Sequence, residues 1–576
     1  MTSAELQNNS YSRSKLNFVL VSVYPSGLFP SGDDSVLQHS LAPAILKSAI
    51  SSDAGLESRY NTVIVDLPNF HSPEDVATTI LQHKPDIVGF SVYIWNYDHS
   101  VKISQILRNN LAELPIIWGG PQVSYNPEEM LGKNPYVSLI ICGSGETRLK
   151  RVLECGLDSS QYPAIPGIAY IDENGNFQLS PGTLPAEDLG KIPSPFASNI
   201  INLQPGKKHN VFIETFRGCP HECGFCIWGR KSRSLNYVPL EQSLADIDLI
   251  YSNDSVCFVC FCDAFIFYNR KRGEAILKRI LDAPLKIPTY FELDINCLTE
   301  NNIPLLGPIL EHSYEFGIQS STVSALDLMG RKADKDTFIK KLKLLRKIDT
   351  KARIWLDLIY GMPGDSYETF RDAVEFALSM APEKVKIYPL YVLPGSPFWY
   401  QKEKLGIVHT EDPPYQVLSN NDFSSDDIRK ARRFSFWVQM VGLFPAIREM
   451  IEELAVSSEE VTRVEIIEQL ADIVSNKVDL LPDHENLEER LSINNYNDSK
   501  RAIMNQISEP ENALALYQAA LDILDRYPVQ KCSKTVKTGF AIYQEMVASN
   551  TISNNDWSHE QLKSTQCTWV KPHIPA

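Results

Sequence analysis

The stretch "RGCPHECGFC" runs from Arg217 to Cys226 and sets three thiols at Cys219, Cys223 and Cys226. Their spacing is not the paired Cys-x2-Cys or Cys/His set of a structural zinc site. The odd thiol also makes a poor disulfide pattern. The stretch ends an apolar run, "VFIETFR" (Val211 to Arg217), and contains Gly218, Pro220 and Gly224. It therefore reads as a loop at the carboxyl end of a strand.

Downstream, five more candidate strands follow at regular intervals: "SVCFVCFCD" (Ser255 to Asp263), "TYFELDI" (Thr289 to Ile295), "YEFGIQS" (Tyr314 to Ser320), "RIWLDLIYG" (Arg353 to Gly361) and "KVKIYPLY" (Lys384 to Tyr391). Helical segments such as "DTFIKKLKLLRKI" separate them. Repeated βα units without a doubly wound switch predict a partial (β/α)6 barrel over residues 206–398, with its chemistry at the carboxyl ends of the strands. Polar residues stand at those ends: Asp263, Glu292 and Asp294 two apart on one face, and Gln319 with Ser320. Cys260 and Cys262 in "CFVCFC" read as small buried hydrophobes. "GRKSR" (Gly229 to Arg233) reads as a solvated basic loop.

Upstream, "LNFVLVSVYP", "NTVIVDLP", "DIVGFSVY", "LPIIWGG" and "VSLIICGSGE" are buried-strand patterns separated by helical ones. Leu37, Leu41 and Ile45 recur at helical spacing. Residues 1–163 therefore read as a doubly wound, Rossmann-like α/β domain, which binds ligands at its strand ends. There lie Ser91, Tyr93, Trp95 and Asn96, then Gly119, Gly120 and Gly143. Residues 164–205 form a Pro/Gly-punctuated connector with a hairpin at "YIDENGNFQL". From 399 to 576 the βα rhythm stops, and helical periodicity predicts a helical domain capping the barrel mouth. Phe398, Trp399, Tyr400, Phe434, Phe436 and Trp437 there read first as core.

The chain has 576 residues, a hydrophobic fraction of 43% and a formal net charge of −16. Such a charge repels a phosphate backbone, so no nucleic-acid partner is expected. No run of about 18 apolar residues predicts a membrane span. A polar N-terminus and eleven cysteines point to a reducing cytoplasm.

These motifs together resemble the cobalamin-dependent radical S-adenosylmethionine (SAM) enzymes. The arrangement Cys-x3-Cys-x-aromatic-Cys, here with Phe225, is similar to that family's signature. Three thiolates hold three irons of a [4Fe–4S] cluster and leave the fourth open to the amine and carboxylate of SAM. The resemblance implies Cys219, Cys223 and Cys226 as metal ligands. It implies cluster or SAM contacts from Phe225, Trp228, Asp263, Glu292, Gln319 and Ser320. "LIYGMPGDSYETF" and "LYVLPGSPF" match the family's fifth and sixth strand ends, and the glycines of the former imply backbone approach to adenine. "YIWN" and "GSGE" resemble the cobalamin-binding domain, which implies cobalamin contacts from Ser91, Tyr93, Trp95, Gly119, Gly120 and Gly143. The family's Asp-x-His-x-x-Gly string is missing. His39, in "DDSVLQHS", has the wrong spacing and reads as a helix residue, so cobalt is expected to lack a protein histidine beneath it.

The implied function is methylation of an unactivated carbon in a small-molecule or peptide natural-product precursor. Electrons would come from a donor such as flavodoxin or ferredoxin. Two other readings compete: cyclisation, rearrangement or oxidation without methyl transfer, and a non-catalytic cobalamin or iron–sulfur sensor. The full set of barrel motifs argues against a sensor, which needs no SAM pocket.

Overall fold

The computed structural model describes residues 15–25, 36–229, 235–331, 334–458, 461–477, 510–527, 536–538, 541 and 544. Strands β1 (Leu16–Tyr24), β2 (Leu37–His39), β3 (Tyr60–Pro68), β4 (Ile87–Ser91), β5 (Ile116–Gly119) and β6 (Leu139–Ile141) alternate with helices. Residues 18–23 of β1 are buried without interruption, as a strand covered on both faces requires. All but β2 form one parallel array in the order β3-β1-β4-β5-β6. The order reverses between β1 and β4, which opens a crevice at their carboxyl ends. The hairpin β7 (Ile168–Ile171) and β8 (Phe177–Leu179) adds antiparallel to β6. A boundary at 163 thus cuts this sheet, which runs on to Leu179.

The strand β2 corrects two expectations. Leu37 is not helical, and the helix starts at Leu41. His39 is a strand residue. β2 leaves its own domain and pairs in parallel with the first barrel strand, Leu37 to His209 and His39 to Val211. There His39 Nε2 lies 3.0 Å from His209 Nδ1, and the two rings stack.

The second domain begins with β9 (His209–Ile213), then β10 (Phe216–Arg217), β11 (Asn236–Tyr237), β12 (Val256–Phe261), β13 (Thr289–Tyr290), β14 (Ser313–Gln319), β15 (Arg353–Tyr360) and β16 (Lys384–Pro389). The barrel wall consists of two parallel ladders, β13-β12-β9-β2 and β14-β15-β16. The third expected strand is shorter than its sequence predicts. After Tyr290 the chain leaves the ladder, and Asp294 accepts a hydrogen bond from the Asn296 amide to start a short 3₁₀ turn.

Side chains alternate strictly along β14 and β15. Tyr314, Phe316, Ile318, Ile354, Leu356 and Leu358 are buried in the core shared with the surrounding helices, while Glu315, Gln319, Trp355 and Asp357 take the other face, the lumen. The helix Tyr367–Ser379 illustrates the outer layer. A reciprocal Ser366/Thr369 capping box starts it, and it buries Phe370, Ala373, Val374 and Ala377 at helical spacing. Full burial of Phe370 and Val374 stabilises the layer by about 1.5–3 kcal/mol each.

The C-terminal helices Ser425–Val441, Pro445–Ser457, Arg463–Lys477 and Pro510–Leu524 do not cap the mouth. They share one hydrophobic core with the barrel. Gln439 donates to the Ile387 carbonyl of β16, and Arg448 donates to the Glu383 carbonyl at that strand's start. They therefore cover the side of the barrel and its last strand, an edge that needs covering. Phe398, Phe434, Phe436 and Trp437 are buried, as a core reading expects, whereas Tyr400 is exposed.

Candidate active site

The cysteines lie between β10 and β11, two short strands that pair antiparallel and close the base of their loop. Asp263 fixes that base. Its Oδ1 accepts from the Thr215 and Phe216 amides at 2.7 and 3.1 Å, and its Oδ2 from the Thr215 hydroxyl at 2.6 Å. Burial pushes this carboxyl up to about 6 against the pull of those bonds. Both oxygens face the polypeptide, which corrects the reading of Asp263 as a cofactor contact.

Glycines shape the loop. Gly218 has φ +110°, which an L side chain resists. A Cβ on Gly229 would strike the Cys219 amide, and one on Gly224 the Phe398 ring. Gly224 bonds through its amide to the Met329 carbonyl and through its carbonyl to the Phe398 amide, both at 2.9 Å. Phe225 packs into the apolar cluster of Met329, Met362 and Phe398, so it holds the loop down. The Trp228 amide donates to Cys226 Sγ at 3.3 Å, and its ring is exposed. The Tyr268 hydroxyl lies 3.6 Å from Cys219 Sγ. Among the described residues no three His, Cys, Asp or Glu side chains converge as for a single metal ion. A cubane, whose ligands occupy separate corners, makes no such demand. Three thiols on a glycine-shaped loop, two of them beside hydrogen-bond donors, fit such a cluster. Arg230 to Arg233 of the basic loop lie outside the described residues.

Glu292 and Gln319 reach the lumen; Ser320 does not. Tyr290 donates to Glu292 Oε1 at 3.1 Å. Glu292 has accessible surface, yet its carboxyl is pushed up, chiefly by burial. Glu315 and Lys386 lie close enough to act on its charge, Glu315 raising the carboxyl further and Lys386 lowering it. Below it, Lys386 pairs with Glu315 at 2.5 Å, and Asp357 is pushed up to about 8 by burial and by Glu315. Gln319 has a left-handed backbone, φ 68°, worth about 1–3 kcal/mol of strain. Ser320 is 1% exposed; its hydroxyl accepts from the Thr322 amide and bonds Asp365. It ties two strand-end loops together. Gly361 and Gly364 also have positive φ. The space beside them is filled by Ile428 and Ala325, so they serve packing rather than an open approach to adenine.

The first domain presents its strand ends to this mouth. Asn96 accepts from the Tyr93 amide and donates to the Val23 and Ser91 carbonyls, which pins the ends of β1 and β4 together. Tyr93 and Trp95 stack at 4.4 Å with 10° between their planes, and Trp95 is half exposed. Burial raises the Tyr93 phenol, and the charged groups that act on it, Glu214 and Arg217, come from the barrel. Gly120 is required by its own turn, since a Cβ would collide with the Val92 carbonyl. A Cβ on Gly119 would meet the Ile141 carbonyl at 3.8 Å and one on Gly143 the Arg148 guanidinium at 3.8 Å, both ordinary contacts, so neither position is crowded as Gly120 is, while Gly143 needs glycine for its φ of +88°. Stacked aromatic rings at a switch-point crevice fit a large planar ligand such as cobalamin. His39, held by His209, lies in the barrel-edge ladder.

Three residues at the junction escaped the sequence reading as a group. Arg217 Nη1 donates to Glu146 Oε1 at 2.8 Å and grips Glu214 with Nε and Nη2. Burial opposes the guanidinium charge, but Glu146 and Glu214 outweigh it and push Arg217 up. A second tie joins Gln122 to the Tyr415 hydroxyl at 2.8 Å. The signal was present, because Glu146 ends "GSGE" and Arg217 opens the cysteine stretch; only their pairing was hidden.

Comparisons with known proteins agree with this architecture. A family model described as B12 binding domain matches residues 38–153, and one described as Radical SAM superfamily matches 213–377. The cobalamin-dependent radical SAM methyltransferase TokK of Streptomyces tokunonensis is 25% identical over 334 residues, 54% of this chain and 48% of TokK. The chain thus spans about half the length of such relatives. Among solved structures, the cobalamin-dependent SAM radical enzyme OxsB aligns with TM-score 0.58 and 14% identity, over 92% of this chain and 84% of OxsB. The radical SAM methyltransferase TsrM from Kitasatospora setae aligns with TM-score 0.53 and 17% identity, over 68% of this chain and 77% of TsrM. At these identities the two structures speak for the fold. Among the described residues no helix is long and apolar enough to cross a membrane.

Proposed function

The chain belongs to the cobalamin-dependent radical SAM enzymes, and from that premise we propose that it is a methyltransferase acting on an unactivated carbon of a small-molecule or peptide precursor. When bound, the cluster supplies the electron that cleaves SAM to a carbon radical, and cobalamin supplies a methyl carrier. Cys219, Cys223 and Cys226 would hold the cluster. Glu292 and Gln319 would meet SAM at the lumen wall, where a carboxylate accepts from an ammonium or a ribose hydroxyl. Ser91, Tyr93, Trp95, Gly119 and Gly143 would line the cobalamin face, and His39 is engaged with His209 in the barrel-edge ladder. Asp263, Ser320, Gly120 and Phe225 would position the loops, and the Trp228 amide would support the Cys226 thiolate. A flavodoxin- or ferredoxin-type donor would deliver electrons.

The observation that carries this reading is the Arg217–Glu146 pair. It joins the loop after β6 to the residue that opens the cysteine loop, which supports a reading in which the two candidate ligand faces share one site. Such a site would exclude water from a reactive carbon radical, and fixed apposition would let one substrate carbon face both partners.

The test is anaerobic turnover of the full chain, loaded with iron, sulfide and cobalamin. The incubation contains producer extract and methyl-labelled SAM, and products are read by mass spectrometry. One labelled product is expected, with equal amounts of S-adenosylhomocysteine and 5′-deoxyadenosine. Deoxyadenosine without S-adenosylhomocysteine would replace methylation with cyclisation, rearrangement or oxidation. S-adenosylhomocysteine and product without deoxyadenosine would mean polar methylation. No SAM consumption under reduction would favour the sensor.

A further inference from the structure

We infer that Tyr268 is a positioning residue for the cluster's redox chemistry: its hydroxyl donates a hydrogen bond to the Cys219 thiolate and raises the cluster's reduction potential. The inference rests on the cluster reading proposed above.

Nothing in the cysteine signature requires a phenol at this place; it comes from the loop after β12. That loop is held at both ends. Asp263 grips Thr215 and Phe216 at its start, and Asn269 accepts from the Arg272 amide to cap the helix Arg270–Asp282 at its end. Tyr268 therefore sits one residue before the helix cap, Asn269. Rings clamp it on three sides: Phe265 edge-on at 5.2 Å, Phe216 edge-on at 6.1 Å and His221 tilted at 5.8 Å. A half-buried ring held this way has little rotational freedom, and its hydroxyl lies 3.6 Å from Cys219 Sγ. That distance is within the reach of a hydrogen bond to sulfur. A thiolate has no proton to give, so in the cluster-bound state the phenol O–H is the donor.

Reduction adds one electron to the cluster, and no bond to Tyr268 forms or breaks. The added charge spreads onto the ligand sulfurs. A donor aimed at one of them stabilises the reduced form more than the oxidised form, which raises the potential. The Trp228 amide acts in the same sense on Cys226, but it is backbone and cannot be deleted by a side-chain change. Tyr268, a side chain, is an adjustable donor.

The experiment uses the full chain loaded anaerobically with iron and sulfide and titrated with a chemical reductant. Electron paramagnetic resonance reads the midpoint potential, and iron and sulfide are assayed per chain. Tyr268→Phe keeps the ring and its packing and should retain full iron while shifting the midpoint to a more negative potential. Replacing Tyr268 with 3-fluorotyrosine keeps the ring and makes the phenol a stronger donor, so it should shift the midpoint the other way. A packing effect would not produce opposite signs. Unchanged midpoints in both variants at full iron content overturn the inference, as do shifts of the same sign. If Tyr268→Phe loses iron, the fluorinated variant decides alone: an upward shift upholds the inference and no shift overturns it. A native chain that takes up no cluster would instead overturn the cluster reading itself, and this inference with it.

Discussion

Replacing Asp263 by alanine should loosen the base of the cysteine loop, and the size of the effect can be worked from its bonds. The carboxyl is 2% exposed and accepts from the Thr215 amide, the Phe216 amide and the Thr215 hydroxyl. Alanine leaves those donors buried without an acceptor. The hydroxyl can rotate toward another partner, but the two amides cannot. At about 1–3 kcal/mol for each of the two orphaned amides, the local cost is about 2–6 kcal/mol. Asparagine behaves differently. Its oxygen can serve both amides, and its NH2 can donate to a reversed Thr215 hydroxyl, so the change should stay below about 1 kcal/mol. The assay is native-state hydrogen exchange on the peptide spanning 211–218, where about 1.4 kcal/mol corresponds to a tenfold rate. Asp263→Ala should exchange at least about thirtyfold faster there, and Asp263→Asn within about fivefold of the native chain. Exchange at the native rate in the alanine variant would refute the bond count. Equal losses in both variants would show that charge, not acceptor number, matters.

The same residue gives a pH signature with a definite sign. Its value in the fold, about 6, lies above the ordinary 3.8, so the unfolded chain releases this proton first. The group's contribution to stability is therefore greatest below about 4 and is lost as pH rises through about 6. At about 1.4 kcal/mol per pH unit, the loss is about 3 kcal/mol. Comparing urea midpoints at about pH 4 and about pH 7, Asp263→Asn should gain on the native chain at the higher pH. A constant gap between the two proteins would contradict the buried-acid reading.

Alanine at Cys219, Cys223 and Cys226 together should abolish the cluster's visible absorption and reductive SAM cleavage, while the other cysteines remain dispensable. Full iron and sulfide in the triple variant would remove the cluster assignment. The Co(II) form of the cobalamin-loaded chain should give an electron paramagnetic resonance spectrum without nitrogen splitting from a lower ligand. Splitting that disappears in His39→Ala would overturn the placement of His39 in the barrel-edge pair.

What the sequence made legible has a physical pattern. The three cysteines and the strand before them could be read because spacing and periodicity are local properties. Glu292 and Gln319 were legible because "FELDIN" and "FGIQS" resemble the family's strand-end segments. Asp263 and Ser320 stand where strands end, and there alternation no longer says which way a side chain turns. Asp263 faces partners 47 and 48 residues away, and Ser320 faces Asp365. Strand β2 was missed because three residues are too short for a period. Its pairing with β9 also depends on a strand far downstream, with His39 and His209 separated by 170 positions. The C-terminal helices were identified as helices from their apolar stripes, but a stripe does not say which face of a barrel it covers.

The junction between the domains follows from the same distinction between local pattern and distant pairing. Arg217 immediately precedes Gly218 and Cys219, and Glu146 lies three residues past Gly143, so their ion pair ties together two loops that each carry candidate ligand contacts. A partly buried ion pair adds little net stability, because desolvation offsets its attraction, yet removing one partner is costly. Such a pair is better suited to fixing register than to holding domains together. Other contacts share the holding: the β2–β9 ladder, the Gln122–Tyr415 bond, and the Tyr125 ring packed where a side chain on Gly395 would stand. With the Arg217–Glu146 pair, these ties come from three segments of the first domain: β2, the stretch from Gln122 to Tyr125, and the loop after β6. Hinged opening about any one of them would have to break the others. The apposition of the two strand-end faces is therefore fixed by contacts within the folded chain itself.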